Sequence, residues 1–286
     1  LTAYIYGGAV AVFNYDGAFA MKDLSIEDND WSTDSLNTSV IYGGLVGDGV
    51  DLSGVSVLDN TATADGPHGN VSVVALRLSA GDLDYLDVRG NEAVAEARAG
   101  ELVALEPYQM DMALSHFVIA GNSVTAPALT GPALYGYAEE AVLTVAYGDV
   151  VGNLFTGEVS WSFGAVYLEI EDGLGKLRNV QVAGNSLVGE GDLPALELSA
   201  PSLTTVQYCN LVADDGESSL GTFSGSDGNL SAAPLYVDWS DPDPRVWDLH
   251  LQAGAPGVDA GDPALTDDDA SPSDMGAYGG PGGSAW

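Results

Sequence analysis

The densest group of ligand-type side chains in this 286-residue chain is the run Asp267, Asp268, Asp269, Ser271 and Asp274, with Asp259 and Asp262 just upstream. Closely spaced carboxylates and a hydroxyl on a short Ser/Pro-containing loop suit a hard cation, which needs several oxygens converging from one flexible segment. Calcium is therefore the expected cofactor, with Asp267, Asp269, Ser271 and Asp274 as its ligands. Without a metal such a run of like charges repels itself, and the other reading is a solvated acidic turn. Asp227-Gly228-Asn229 reads as a plain turn.

Catalytic chemistry is harder to place. Glycoside hydrolysis needs two carboxylates facing each other across a groove at about 5–9 Å. Glu169 with Glu171, or Glu139 with Glu140, could contribute, but 42 acids guarantee chance pairs. Uronate lyases want a basic residue and cations to neutralise the substrate carboxylate. The seven cations here (Lys22, Arg77, Arg89, Arg98, Lys176, Arg178, Arg245) are scattered. His68, His116 and His250 lie far apart, and no serine or cysteine nucleophile motif is present. The balance is against an enzyme. Sugar rings stack on exposed aromatic faces, which makes Trp31 and Trp161, with Phe163 beside the latter, candidates for glycan binding. Trp239 and Trp247 are expected to be buried.

What positions these residues is a repeat. Short phrases end at Asn29 (LSIEDN), Asn60 (VSVLDN), Asn91 (LDVRGN), Asn122 (FVIAGN), Asn153 (GDVVGN) and Asn185 (VQVAGN), in steps of 31, 31, 31, 31 and 32 residues. A degenerate copy closes at Gly216. Apolar residues stand five and three places before most of these asparagines, which is strand periodicity. Gly148 breaks the pattern in the fifth copy. Asp or Gly precedes each asparagine, so each strand runs into a turn with unusual backbone angles. A fixed period of this size is the mark of a coil that returns above itself. Asn29, Asn60, Asn91, Asn122, Asn153 and Asn185 should then form a ladder, each amide bonded to the next.

A second strand line precedes each phrase, as in Val71–Leu78 and Gly164–Ile170, with small alanines at 75, 104, 133, 165 and 195. A third, weaker line lies between the two (Phe19 with Met21, Val142 with Thr144). The expected fold is all-β: a right-handed parallel β-helix of about seven coils of about 31 residues over 1–220, with an irregular C-terminal cap over 221–286. Segments 61–70, 92–100, 123–131, 154–162 and 186–192 are expected as exposed loops.

Composition narrows the partners. A net charge of −35 repels polyanions, which argues against nucleic acid and anionic membrane surfaces. No stretch is long and apolar enough to span a bilayer. Cys209 is the lone cysteine, expected as a buried inert thiol in a strand. The chain opens at Leu1 without a leader, which reads as a processed mature product. Sequons stand at Asn37, Asn70 and Asn229.

The C-terminal region carries a more specific pattern. Ser226-Asp-Gly-Asn-Leu-Ser-Ala-Ala-Pro-Leu235, then Asp248-Leu-His-Leu-Gln-Ala-Gly-Ala-Pro-Gly-Val-Asp-Ala-Gly-Asp-Pro263, then Asp269-Ala-Ser-Pro-Ser-Asp-Met-Gly-Ala-Tyr-Gly-Gly-Pro281 follow in order. This resembles the C-terminal segment of secreted bacterial right-handed parallel β-helix repeat proteins, and the repeats extend the resemblance over nearly the whole chain. Ala233 stands for the usual Asp and Ala270 for the usual Gly. The resemblance implies that 221–286 packs over the last coil and caps it. It also implies an extracellular or cell-surface protein.

The expected function is a non-catalytic, adhesin-like structural solenoid. It could be a filament subunit associating head to tail through an uncapped first coil. The alternative is a carbohydrate-binding module or a polysaccharide-degrading enzyme of the parallel β-helix class.

Overall fold

The computed structural model describes residues 6–14, 19–33, 37–45, 50–65, 70–78, 81–107, 109, 111–159, 162–213, 216–218 and 221–285. Over these the chain is nearly all β, with parallel sheets stacked as a β-solenoid. One sheet is built from long strands: Phe19–Glu27, Val50–Leu58, Gly81–Arg89, Met112–Ala120, Val142–Val151 and Leu174–Ala183. Thr204–Gln207 and Asn210–Leu211 together form its last rung. About five turns are regular rather than the seven expected. Among the described residues the two end rungs of this sheet each pair with a solenoid strand on one side only, and the last has shrunk to short pieces.

Each long strand ends just before a ladder asparagine and contains a bend. A left-handed residue sits mid-strand in every rung: Asp23 (φ 55°), Gly54 (67°), Tyr85 (58°), His116 (49°), Tyr147 (53°), Asn179 (54°) and, between the two last pieces, Tyr208 (53°). The bend corrects one sequence expectation. The weak third line is no separate face but the first half of the long strand. The left-handed residue shifts the inward phase by one, so buried residues step by three across it: Leu83 to Leu86, Leu114 to Phe117, Leu177 to Val180.

The real third face lies in the segments expected as loops. Thr61–Ala64, Glu92–Ala95, Ser123–Leu129 and Leu154–Val159 are strands, and Ala62, Ala64, Ala93, Ala95, Val124, Ala126 and Phe155 point into the core. Strands of two to four useful residues built mainly on alanine carry little hydrophobic signal. The second line forms as expected, including Asn70–Leu78, Leu134–Glu139 and Val166–Glu171. Ala104, Ala133, Ala165 and Ala195 are buried there, and Ala75 and Ala104 fall in register with Tyr135 and Tyr167. Gly148 is filled from the neighbouring rung: a Cβ on it would lie 2.1 Å from the Phe117 ring.

At the corner after each long strand, Asp28, Asp59, Gly90, Gly121, Gly152 and Gly184 all adopt positive φ, between 51° and 67°. The turn so made points the following asparagine inward. Nδ2 of Asn29, Asn60, Asn91, Asn122 and Asn153 donates to Oδ1 of the next asparagine at 2.9–3.0 Å. That oxygen also accepts the backbone N–H of the asparagine below at 3.0–3.1 Å. From Asn60 onward Nδ2 also reaches back to a carbonyl of the preceding rung, as Asn122 does to Val88 at 2.9 Å.

The C-terminal edge of the solenoid is covered by the chain itself. Tyr208 N donates to Asp227 O at 3.1 Å, Leu230 N to Cys209 O at 2.7 Å and Leu211 N to Leu230 O at 3.0 Å. Asn229 continues the amide pattern here, accepting from Cys209 N at 2.9 Å and donating to Val206 O at 2.8 Å. The sequon's asparagine is thereby buried. Leu196 N donates to Glu217 O at 2.9 Å, which covers a second edge. Among the described residues, Ser186–Val188 pairs with Leu154–Thr156 alone. Cys209 is buried and its thiol is pushed up to about 12, so it is inert at neutral pH.

Asn122→Ala removes a buried amide whose partners lie in both neighbouring rungs, and should cost on the order of 3 kcal/mol in chemical denaturation. Asn29→Ala, at the exposed end of the column, should cost less than about 1 kcal/mol. Equal costs would mean that the column adds nothing to the stacking of the strands.

Candidate functional site

The outer face of the long sheet changes character along the axis. One outward column reads Ser25, Ser56, Asp87, Val118, Asp149, Gln181 and Asn210, each in register with the next. From Val118 onward its members are buried, as are Ala120, Val151 and Ala183. They are covered by the chain beyond residue 233. Tyr236, Leu249 and Ala277 pack on them as a second core, with Trp239, Trp247, Leu251 and Tyr278 at its border. The C-terminal segment thus does two things: residues 225–232 close the last rung, and the rest lies back along the flank.

The sequence of this flank explains its path. Tyr236–Asp238 pairs antiparallel with Asp248–Leu251. Between them Asp243 caps a short turn begun by Pro244, accepting from Arg245 N at 3.0 Å. The turn lays Pro244, Trp247 and Trp239 over the corner glycines. A Cβ on Gly121 would lie 2.3 Å from Pro244, one on Gly152 2.8 Å from Trp247, and one on Gly184 3.0 Å from Trp239. Where the corner residue is Asp instead, it meets a cation: Arg245 lies 2.8 Å from Asp59 and 3.5 Å from Asp28. Burial raises the Asp59 carboxyl while Arg245 pulls it back.

Beneath the flank is a buried polar centre. Asp149, fully buried, accepts from Tyr236 Oη at 2.6 Å, Ala277 N at 2.8 Å and Gln181 Nε2 at 3.3 Å. Burial pushes its carboxyl up to about 6, against the pull of those donors and of Arg89. Arg89 bonds Asp87 at 2.7 Å, donates to Trp247 O at 2.9 Å and reaches Tyr278 Oη at 3.4 Å.

A second centre lies at the mid-strand bend. Tyr85, His116 and Tyr147 stack with ring centroids 5.2 Å apart at each step. His116 Nδ1 faces Asp84 Oδ1 at 2.8 Å, and its buried Nε2 has no hydrogen-bond partner among the described residues. The glycine-rich tail rests on this column. Tyr85 Oη donates to Gly282 O at 3.0 Å, and a Cβ on Gly280 would lie 2.1 Å from the Tyr147 ring. Only glycines let the backbone approach so closely.

The acidic run belongs to this tail. Asp267 accepts from Gly280 N at 2.5 Å and Asp274 N at 3.2 Å, Asp268 from Gly282 N at 2.9 Å, Asp269 from Ser271 N at 2.9 Å, and Asp274 from Asp259 N at 2.7 Å. Asp267, Asp269, Ser271 and Asp274 share one loop, but each carboxylate is turned to a backbone N–H. Among the described residues no three His, Cys, Asp or Glu side chains converge as a metal site. Burial first, then like charges, raise the Asp267 and Asp274 carboxyls. Ala270 adopts φ 69°, the angle that suits the glycine it replaces in the resemblance.

The other sequence candidates fall elsewhere. Trp31 lies in the strand Asp30–Thr33, in register with Ala62 and not in a loop; its side chain, like all of Trp161, lies outside the described residues. Phe163 is in the core. Tyr137 Oη lies 3.0 Å from Glu139 and 3.1 Å from Glu171, while Tyr135 Oη donates to Glu169 at 2.8 Å, so these acids are tied to tyrosines. His250 stacks on Tyr278 and meets Asp248 at 2.7 Å. The flank centre was missed, although the outward column turning from serine to valine was a readable signal. Compared with known proteins, the chain matches no protein-family model, no curated protein and no solved structure.

Gly152→Ala should strain a left-handed corner by about 1–2 kcal/mol and lift Trp247, seen as faster proteolysis within 233–252. Ala270→Gly should relieve strain at its own turn and raise Tm by about 2–4 °C.

Proposed function

We propose that this chain is a non-catalytic structural solenoid of the parallel β-helix repeat class, an adhesin-like module displayed outside the cell. The observation that carries this reading is the amide column, with the chain's own closure of the last rung. Side chains that could do chemistry elsewhere are here engaged in register and docking: Asp149 and Arg89 hold the flank, and the acids of the tail hold its backbone. With two of its three last-rung edges occupied by residues 216–218 and 227–230, a discrete rod is favoured over a head-to-tail fibre. In this reading the rod meets other surfaces through its sides, with glycans as the partner class. Calcium is the proposed counter-ion of the Asp267–Asp274 loop, where it would relieve the like-charge strain on Asp267 and Asp274.

Electron microscopy of the native protein, with and without chelator, should show short single rods. Filaments of regular axial repeat would overturn the capped-rod reading, and their loss on chelation would put the metal in the contact. Millimolar calcium should raise Tm relative to chelated protein, with the gain lost in Asp267→Asn; an unchanged Tm rejects the cation. Release of reducing ends or unsaturated products from a polysaccharide would overturn the non-catalytic assignment.

A further inference from the structure

We propose that the C-terminal flank, residues 233–285, is an acid-tightened latch: Asp149 lies in its joint with the solenoid and sets how firmly it closes. Its side chain stands in the outward column of the long sheet that the flank covers. Asp149 is faced by Gln181 from the next rung, by Tyr236 from the flank strand, and by Ala277 N–H and Tyr278 from the tail. Arg89 acts on it through space while bonded to Asp87, and among the described residues no cation makes an ion pair with it.

A proton on Asp149 removes a buried negative charge that has no paired cation. When the flank lifts, Asp149 meets water and titrates as an ordinary carboxyl. The closed state therefore binds more protons, and closure weakens as pH rises through the Asp149 value of about 6.

The test is hydrogen–deuterium exchange on the intact chain at pH 5.0, 6.0 and 7.5, corrected for the intrinsic rate. Protection across 233–285 should fall about tenfold from pH 5.0 to 7.5, while strand Met112–Ala120 holds level. Tyr236→Phe removes a donor to the ionised carboxylate, so the midpoint should move to higher pH. Asp149→Asn should remove most of the dependence, and if that variant does not fold, Tyr236→Phe decides alone. Flank protection that is flat with pH, that falls in parallel with the solenoid strands, or whose midpoint ignores Tyr236→Phe overturns the latch.

Discussion

The asparagine column fixes the register of everything else. A slip of one residue would turn a strand's inner face outward, but a slip of two restores the alternation and is not forbidden by the hydrophobic pattern alone. A side-chain amide bonded to the rungs on both sides cannot slide without leaving buried donors and acceptors unpaired. Each asparagine is held in place by a left-handed residue before it, so the Asp/Gly–Asn pair works as one unit. Once that corner is set, the bend in each long strand is set as well, because nine or ten residues separate the start of the strand from its corner in every rung from Phe19 to Ala183.

The same corner decides where the C-terminal segment lies. A left-handed position tolerates Asp and prefers Gly, and the chain uses both, in order along the axis. The two Asp corners hold Arg245, and the glycine corners leave room for Pro244, Trp247 and Trp239. A feature required by the solenoid's own turns thus also forms a floor for the flank. Outward valines and alanines in the middle rungs supply the apolar half of that floor.

This explains what could be read from the sequence and what could not. The period, the ladder positions and the second strand line were visible because they repeat at one phase. The bent strand looked like two lines because His116 and its equivalents shift the inward phase by one. The third face looked like loops because Thr-Ala-Thr-Ala has almost no hydrophobic contrast. The flank was placed on the end of the rod because its motif is local, whereas its partners Tyr85, Arg89 and Asp149 are more than a hundred residues earlier. The acidic loop was legible as a loop, but not the fact that its carboxylates bond its own N–H groups.

The shortage of cations gives this arrangement its meaning. Against 42 acids there are 7 lysines and arginines, and three of the arginines lie in the joint between flank and solenoid. Arg89 reaches Trp247 and Tyr278, Arg178 reaches Asp262 at 2.8 Å, and Arg245 reaches the Asp corners. Elsewhere, among the described residues, the acids that have partners meet mainly tyrosine hydroxyls, serine hydroxyls and backbone N–H groups, which carry no charge to offset theirs. Repulsion between flank and solenoid is therefore opposed by a few well-placed guanidinium groups and by apolar packing. Arg245 and Arg178 are partly exposed and open to screening by salt, whereas Arg89 is buried and keeps its strength. The outer parts of the joint should then loosen with ionic strength before the centre does, so that the flank peels from its Arg245 turn and its Asp262 turn inward toward Trp247 and Asp149.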